Sequence, residues 1–193
     1  GFHSHRELCD RRMGNNRNMA PVDHSPIFRL TFVCTGNICR SPMAEAITRS
    51  LAREHGFERD LEITSAGTGE WHVGEQADPR TRAALDRAGY EVPNHRAKQF
   101  DPATFENYDL IVTFDRGQRR ILRAWAENEA QRMLIHPLCE FDPLSNAAGE
   151  VPDPYYGNDE LFDRVLEQIE RACKNLLTQI EPAVRAARRE TNR

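Results

Sequence analysis

The sequence predicts an α/β fold: a four-stranded parallel sheet with helices on both faces. Two observations carry this. Short apolar β-rich segments alternate with segments whose apolar residues recur at helical spacing, the pattern of strand–helix–strand units. The first strand segment, IFRLTFVC, is also β-rich and mostly apolar, as a buried strand should be. A length of 193 residues suits one such domain, and neither an internal repeat nor a low-complexity block interrupts it.

The first 26 residues are polar and aperiodic, and are read as an extension, flexible or left over from cloning. His3, His5 and Cys9 within it are ligand types without a geometry and do not make a metal site. The domain spans 27–184. IFRLTFVC (27–34) reads as the first buried strand. From Pro42 to His55, Met43, Ala46, Ile47 and Leu51 mark one face of a helix, and Gly56 suits its stop. LEITSAG (61–67) is a second strand, and 79–88 a short helix closed by Gly89. DLIVTF (109–114) is a third strand, followed by a helix over 117–127, and RMLIHPL (132–138) is the fourth. After a Pro- and Asp-rich loop (140–159), Leu161, Val165, Ile169, Ala172, Leu176 and Ile180 form the face of a long last helix. Residues 185–193 are read as a basic tail.

Composition narrows the function. A formal charge of −4 argues against a nucleic-acid binder. No apolar run reaches the ~18 residues of a membrane span, and the N-terminal residues lack the apolar core of a signal peptide. Five cysteines, an odd number scattered through the chain, fit reduced thiols better than a disulfide framework. The expectation is a cytoplasmic protein, with export to another cell left open, and a monomer by default.

The stretch VCTGNICRSP (33–42) carries the chemistry. It leaves the first strand and enters the first helix, and in such sheets ligands bind outside the carboxyl ends of strands. Gly36 and Asn37 tolerate the backbone angles that curl successive N–H groups into an anion-binding nest. Ser41 suits an N-cap and Pro42 the first helical position, which would aim the helix's positive end at the loop. Arg40 adds a planar fork for two phosphate oxygens. Thr35, Gly36, Asn37, Ile38, Cys39, Arg40 and Ser41 therefore form a phosphate-binding loop. Cys34, held in that field, is favoured as a thiolate nucleophile. A nucleophile at phosphorus needs a proton donor for its leaving group, and the late loop offers Asp142, Asp153 and Asp159. Asp153, set between Pro152 and Pro154, is the one a stiffened loop could place accurately.

VCTGNICRSP, SAGT (65–68), ADPR (77–80), NHRA (94–97), FD (114–115), FDP (141–143) and DPYYG (153–157) occur in this order. Together, over about residues 28–181, they closely resemble the low-molecular-weight protein tyrosine phosphatases. That resemblance implies hydrolysis of phosphotyrosine in proteins, and of small aryl phosphates, with neither cofactor nor metal. Cys34 would form a cysteinyl-phosphate, Arg40 would hold the phosphoryl group, and Asp153 would act as acid and then base. Ser41 would hydrogen-bond the thiolate. Asn37, Ser65 and His95 would belong to a buried polar network supporting the loop. Asp78 and Asp115 match acidic positions of the family, although helix N-capping is an equal reading of both. Trp71, Tyr155 and Tyr156 are candidate walls of the substrate pocket, and both tyrosines are candidate phosphorylation sites. Cys39 could form a reversible disulfide with Cys34, while Cys139 and Cys173 are read as core. Three alternatives stand beside this reading. A protein-arginine phosphatase resembles this loop but carries threonine where Ile38 stands. A thioredoxin-linked arsenate reductase needs two more cysteines on a mobile segment, and 97–125 holds none. A non-catalytic phosphotyrosine-binding module would not be expected to keep both Cys34 and Asp153.

Overall fold

The computed structural model describes residues 25–145 and 149–193. Nearly all of the polar extension, with His3, His5 and Cys9, lies outside the described residues. Four parallel strands form one sheet: β1 (Phe28–Cys34), β2 (Leu61–Gly67), β3 (Leu110–Thr113) and β4 (Ile135–Pro137), in the order β2-β1-β3-β4. The helices are α1 (Arg40–Glu54), α2 (Pro79–Arg87), α3 (Arg116–Trp125), the single turn α4 (Glu129–Arg132) and α5 (Asp159–Thr191). This is the fold class the sequence predicts.

Successive strand residues face opposite sides, so neighbours serve two cores. Leu30, Phe32 and Val112 pack with Met43 and Ile47 of α1 and Leu166, Ile169 and Cys173 of α5. Val33 and Ile111, one residue out of phase, join Ile135, Phe100, Phe105 and Leu122 on the other face, under α3. Cys139 and Cys173 are both buried.

Local signals explain where elements stop. Gly56 takes φ +78, and the N–H groups of Gly56 and Phe57 close back on the Arg53 and Ala52 carbonyls at 3.1 and 3.0 Å. Gly89, at φ +83, ends α2 with the same pair of bonds.

Three boundaries differ from the expectation. α1 begins at Arg40, capped by Cys39 without a side-chain bond, so Ser41 is not its N-cap. Its hydroxyl instead points into the loop. β4 is only three residues long, because Asn128 caps α4 by accepting from Gln131 N and the chain is still turning at Leu134. α5 runs through the basic segment to Thr191, despite Pro182. Val184 is buried there, and the cations reach back: Arg185 Nη2 to the His55 carbonyl at 2.9 Å and Arg188 Nε to Asp60 at 2.7 Å. These long-range contacts stabilise a helix that composition alone reads as a tail.

Candidate active site

β1 ends at Cys34 in the middle of the sheet, and the chain turns at once into the loop 35–39 that feeds α1. The turn depends on Asn37, which adopts φ 56, a conformation that Asn tolerates better than most residues. It also depends on Gly67 at the end of β2. A Cβ there would sit 2.6 Å from the Thr35 carbonyl oxygen and 3.1 Å from Asn37 N. The loop is tied to β2's exit by Thr68 N to the Cys34 carbonyl and Gly69 N to the Thr35 carbonyl, both 2.9 Å.

Hydrogen counting fixes the polarity of the network under the loop. Asn37 Nδ2 donates to Ser41 Oγ at 2.8 Å and to Ser65 Oγ at 3.0 Å, while its Oδ1 accepts from Lys98 N at 2.9 Å. Ser65 passes its own hydrogen to Glu45 Oε2 at 3.1 Å. Ser41 Oγ lies 2.9 Å from Cys34 Sγ and 3.4 Å from the Ala66 carbonyl, and because a thiolate can only accept, the Ser41 hydrogen serves the sulfur once Cys34 is ionised. Asn37 N also points at that sulfur, at 3.3 Å. His95 must donate from Nε2, since its partner 2.6 Å away is the Asn37 carbonyl. The result is a sulfur with two donors aimed at it, the arrangement that stabilises a thiolate.

Arg40 is 2 % exposed, beside the sulfur. Its Nη1 donates to Asp115 Oδ2 at 2.8 Å and to the Val151 carbonyl at 3.0 Å. Both hydrogens of Nη1 are thereby used, leaving the Nε/Nη2 edge of the fork for a ligand. Burial works against the charge of Arg40, but Cys34, Asp115 and Asp153 outweigh it and raise its pKa. Burial likewise works to raise Asp115, yet Arg40 and Gln118 hold its carboxyl below the usual range.

Asp115 serves both of its readings. Oδ1 caps α3 by accepting from Gly117 N at 2.9 Å and Gln118 N at 3.3 Å, while Oδ2 holds Arg40. Asp78 also does two things. It caps α2 through Arg80 N at 2.8 Å and holds the Arg80 guanidinium at 2.8 and 3.0 Å. Arg80 in turn donates to the carbonyls of Tyr155 and Gly157 at 2.9 and 3.1 Å and lies over the Phe162 ring. The ADPR step thus clamps the loop that carries Asp153.

Asp153 Oδ2 stands 3.6 Å from Arg40 Nη2, its side chain half exposed, and Oδ1 accepts from Tyr155 N at 3.1 Å. Of the other acids in that loop, Asp142 is buried against Arg171 at 2.7 and 2.9 Å, and Asp159 begins α5. Only Asp153 reaches the cleft.

That cleft, about 380 Å³, is lined by Cys34, Thr35, Gly36, Ile38, Cys39, Arg40, Trp71, His72, Asp153, Tyr155 and Tyr156. The Cys34 sulfur, the Arg40 guanidinium and the Asp153 carboxyl share one opening. A profile of the family described as low molecular weight phosphotyrosine protein phosphatase matches residues 29–186. The chain belongs to that family. It is similar to a low molecular weight protein-tyrosine-phosphatase of Streptomyces coelicolor, 44% identical over 158 residues, covering 81% of this chain and 96% of the relative. Low molecular weight protein-tyrosine phosphatase A of Mycobacterium tuberculosis is 43% identical over 148 residues, 76% of this chain and 88% of the relative. Among solved structures, a protein tyrosine phosphatase of Entamoeba histolytica superposes with a TM-score of 0.76 at 35% identity, covering 81% of this chain and 98% of the other.

In this phosphatase the three aromatic residues singled out from sequence do line the cleft, but unequally. Tyr155 is partly buried, its ring 5.9 Å from that of His72, whereas Trp71 and Tyr156 stand at the rim, 73% and 95% exposed. Cys39 is a buried free thiol whose pKa is pushed up to about 12, first by burial and then by Asp78 and Cys34.

Sequence reasoning missed Glu45, His72, Arg80 and Gln118. Glu45 sits one turn into α1, and nothing in its spacing points back to Ser65. His72 is held at Nδ1 by Glu75 at 2.8 Å and turns its Cδ2 edge to Gly36, a placement created by a loop. Gln118 was legible in part: Asp115 and Gln118 stand in capping-box register.

Proposed function

We propose that the protein hydrolyses phosphotyrosine in proteins through a cysteinyl-phosphate. The observation that carries this is Cys34 Sγ on the cleft floor, with Ser41 Oγ and Asn37 N aimed at it and Arg40 and Asp153 beside it. The phosphoryl group would lie on the loop N–H groups and the open edge of Arg40. Cys34 attacks phosphorus, the S–P bond forms as the P–O bond to the phenol breaks, and Asp153 gives its proton to the departing oxygen. Asp153 then takes a proton from water as that water attacks phosphorus. The S–P bond breaks and the thiolate departs, stabilised by Ser41. Charge developing on the equatorial oxygens is met by Arg40 and the positive end of α1.

Ile38 lines the same cleft as Tyr155, and an apolar side chain there suits an aromatic ring. This favours tyrosine over arginine as the carrier of the phosphate. No helix among the described residues is long and apolar enough to cross a membrane. We place the enzyme in the cytoplasm, acting on phosphotyrosine proteins as a monomer.

The test is phosphate release from matched phosphotyrosine, phosphoserine and phosphoarginine peptides without added metal, with Cys34→Ser beside wild type. Turnover confined to phosphotyrosine and lost in the variant is the expected result. Preferential phosphoarginine turnover would overturn the substrate class and spare the chemistry. Binding without turnover of any of them would make the protein a reader of phosphotyrosine.

A further inference from the structure

We propose that Gln118 and Thr35 form a positioning pair that locks Asp115, the counter-ion of Arg40, to the phosphate loop. The inference rests on the phosphatase reading above. Gln118 is 1% exposed, and every hydrogen-bonding valence of its amide is engaged. Oε1 accepts from Phe114 N at 3.2 Å and Asp115 N at 2.8 Å. Nε2 donates to Asp115 Oδ2 at 2.9 Å and to Thr35 Oγ1 at 2.9 Å. The amide has only one workable orientation. Flipped, it would set its oxygen against the Asp115 carboxylate and its NH2 against two backbone N–H groups.

Capping α3 requires only the Oε1 side of this residue. The Nε2 arm does something else: it spans from the first turn of α3 to the loop after β1, joining residues 83 apart in sequence. Both of its partners bear on the reacting group. Thr35 lines the cleft, and Asp115 Oδ2 is the oxygen that holds Arg40 Nη1.

The need for such a lock is visible at Arg40, which lies between two carboxylates. Asp115 holds it at 2.8 Å, while Asp153 stands 3.6 Å from Nη2. An Asp115 free to swing would let the guanidinium tip towards Asp153. The fork's open edge would then close on the group that must protonate the leaving oxygen, and an incoming phosphate would have to break that pair. Gln118 removes this freedom, and Thr35 carries the constraint to the loop that receives the phosphate.

The experiment compares Thr35→Val, which deletes only the hydroxyl, with Thr35→Ser, Gln118→Leu and the double variant Thr35→Val/Gln118→Leu. Readouts are kcat/KM on a phosphotyrosine peptide, the Kd of inorganic phosphate by calorimetry, and Tm. Thr35→Val is expected to lower kcat/KM and weaken phosphate binding by about 3–10-fold, and Gln118→Leu by about 30-fold, the loss of one and of several hydrogen bonds near a charge. Thr35→Ser, which keeps the hydroxyl, should recover most of the activity and phosphate affinity that Thr35→Val loses. The double variant should be no worse than Gln118→Leu alone, because both remove the same arm. Wild-type phosphate affinity in Thr35→Val, or simple additivity in the double variant, overturns the proposal. So does a fall in Tm with Kd unchanged, which would mark the pair as merely structural. Should Gln118→Leu fail to fold, Thr35→Val against Thr35→Ser decides alone. The phosphate titration also separates the two readings: a wild type that binds phosphate but turns over nothing sinks the phosphatase reading and still tests the lock.

Discussion

Single residues in this site act through hydrogen counts more than through proximity. Asn37 spends both amide hydrogens on Ser41 and Ser65, so Ser41 keeps its own hydrogen for a Cys34 thiolate. Removing Asn37 should therefore reach Cys34 without touching it. We expect Asn37→Ala to lower kcat by more than tenfold, adding about 1–2 kcal/mol of left-handed backbone strain; a kcat within twofold of wild type would contradict the relay. Asp153→Ala should reduce kcat about 10²–10⁴-fold on phosphotyrosine, the usual worth of a general acid. It should fall much less on aryl phosphates whose phenol leaves unprotonated. An equal loss on both substrate types would remove Asp153 from the acid role.

Elements contribute by where they end. β1 delivers Cys34, α1 points its first turn at the same place, and β3 ends at Thr113, directly before Phe114 and Asp115, so three termini converge. β2 contributes its exit, where the loop crosses Gly67 too closely for any side chain. Gly67→Ala brings a Cβ against backbone, which cannot swing aside, so activity and Tm should both fall, checked by peptide turnover and calorimetry. The loop bearing Asp153 is held from another element, through Arg80 at the start of α2. Arg80→Met should preserve the packing over Phe162 but release the two carbonyls. The expected outcome is a drop in kcat with the phosphate Kd little changed, because the acid loop, not the phosphate loop, is loosened.

Across the whole molecule, acid stability follows from three carboxylates held below their ordinary pKa. For Asp142 the main cause is Arg171; for Asp78 and Asp115 burial opposes, and Arg80 and Arg40 prevail. A carboxylate whose folded pKa is depressed contributes fully above its unfolded value, roughly pH 4, and loses that contribution as pH falls through the folded value. Unfolding free energy should therefore be flat at neutral pH and decline below about pH 4. Asp142→Asn should cost about 1.5–3 kcal/mol at pH 7, and the cost should shrink as pH falls below about 4 and the carboxylate is protonated. A variant equally destabilised above and below that pH would show that the Asp142–Arg171 pair is not what titrates.

The fold was legible because periodicity records burial: β1's mostly apolar run and the face Leu161–Ile180 call for a covered sheet and a packed helix. The loop after β1 was legible for a similar reason, since its turn residues, the Cys34 thiol and Arg40 lie within ten consecutive residues and local backbone geometry brings them together. Glu45, Arg80, His72 and Gln118 gain their roles from partners on other elements, and neither local spacing nor periodicity encodes such a partner. The same holds for the basic end of α5, whose helix is secured by Asp60 and His55 more than a hundred residues away. Short-range chemistry can be read along the chain, whereas which side chain faces which is settled by packing.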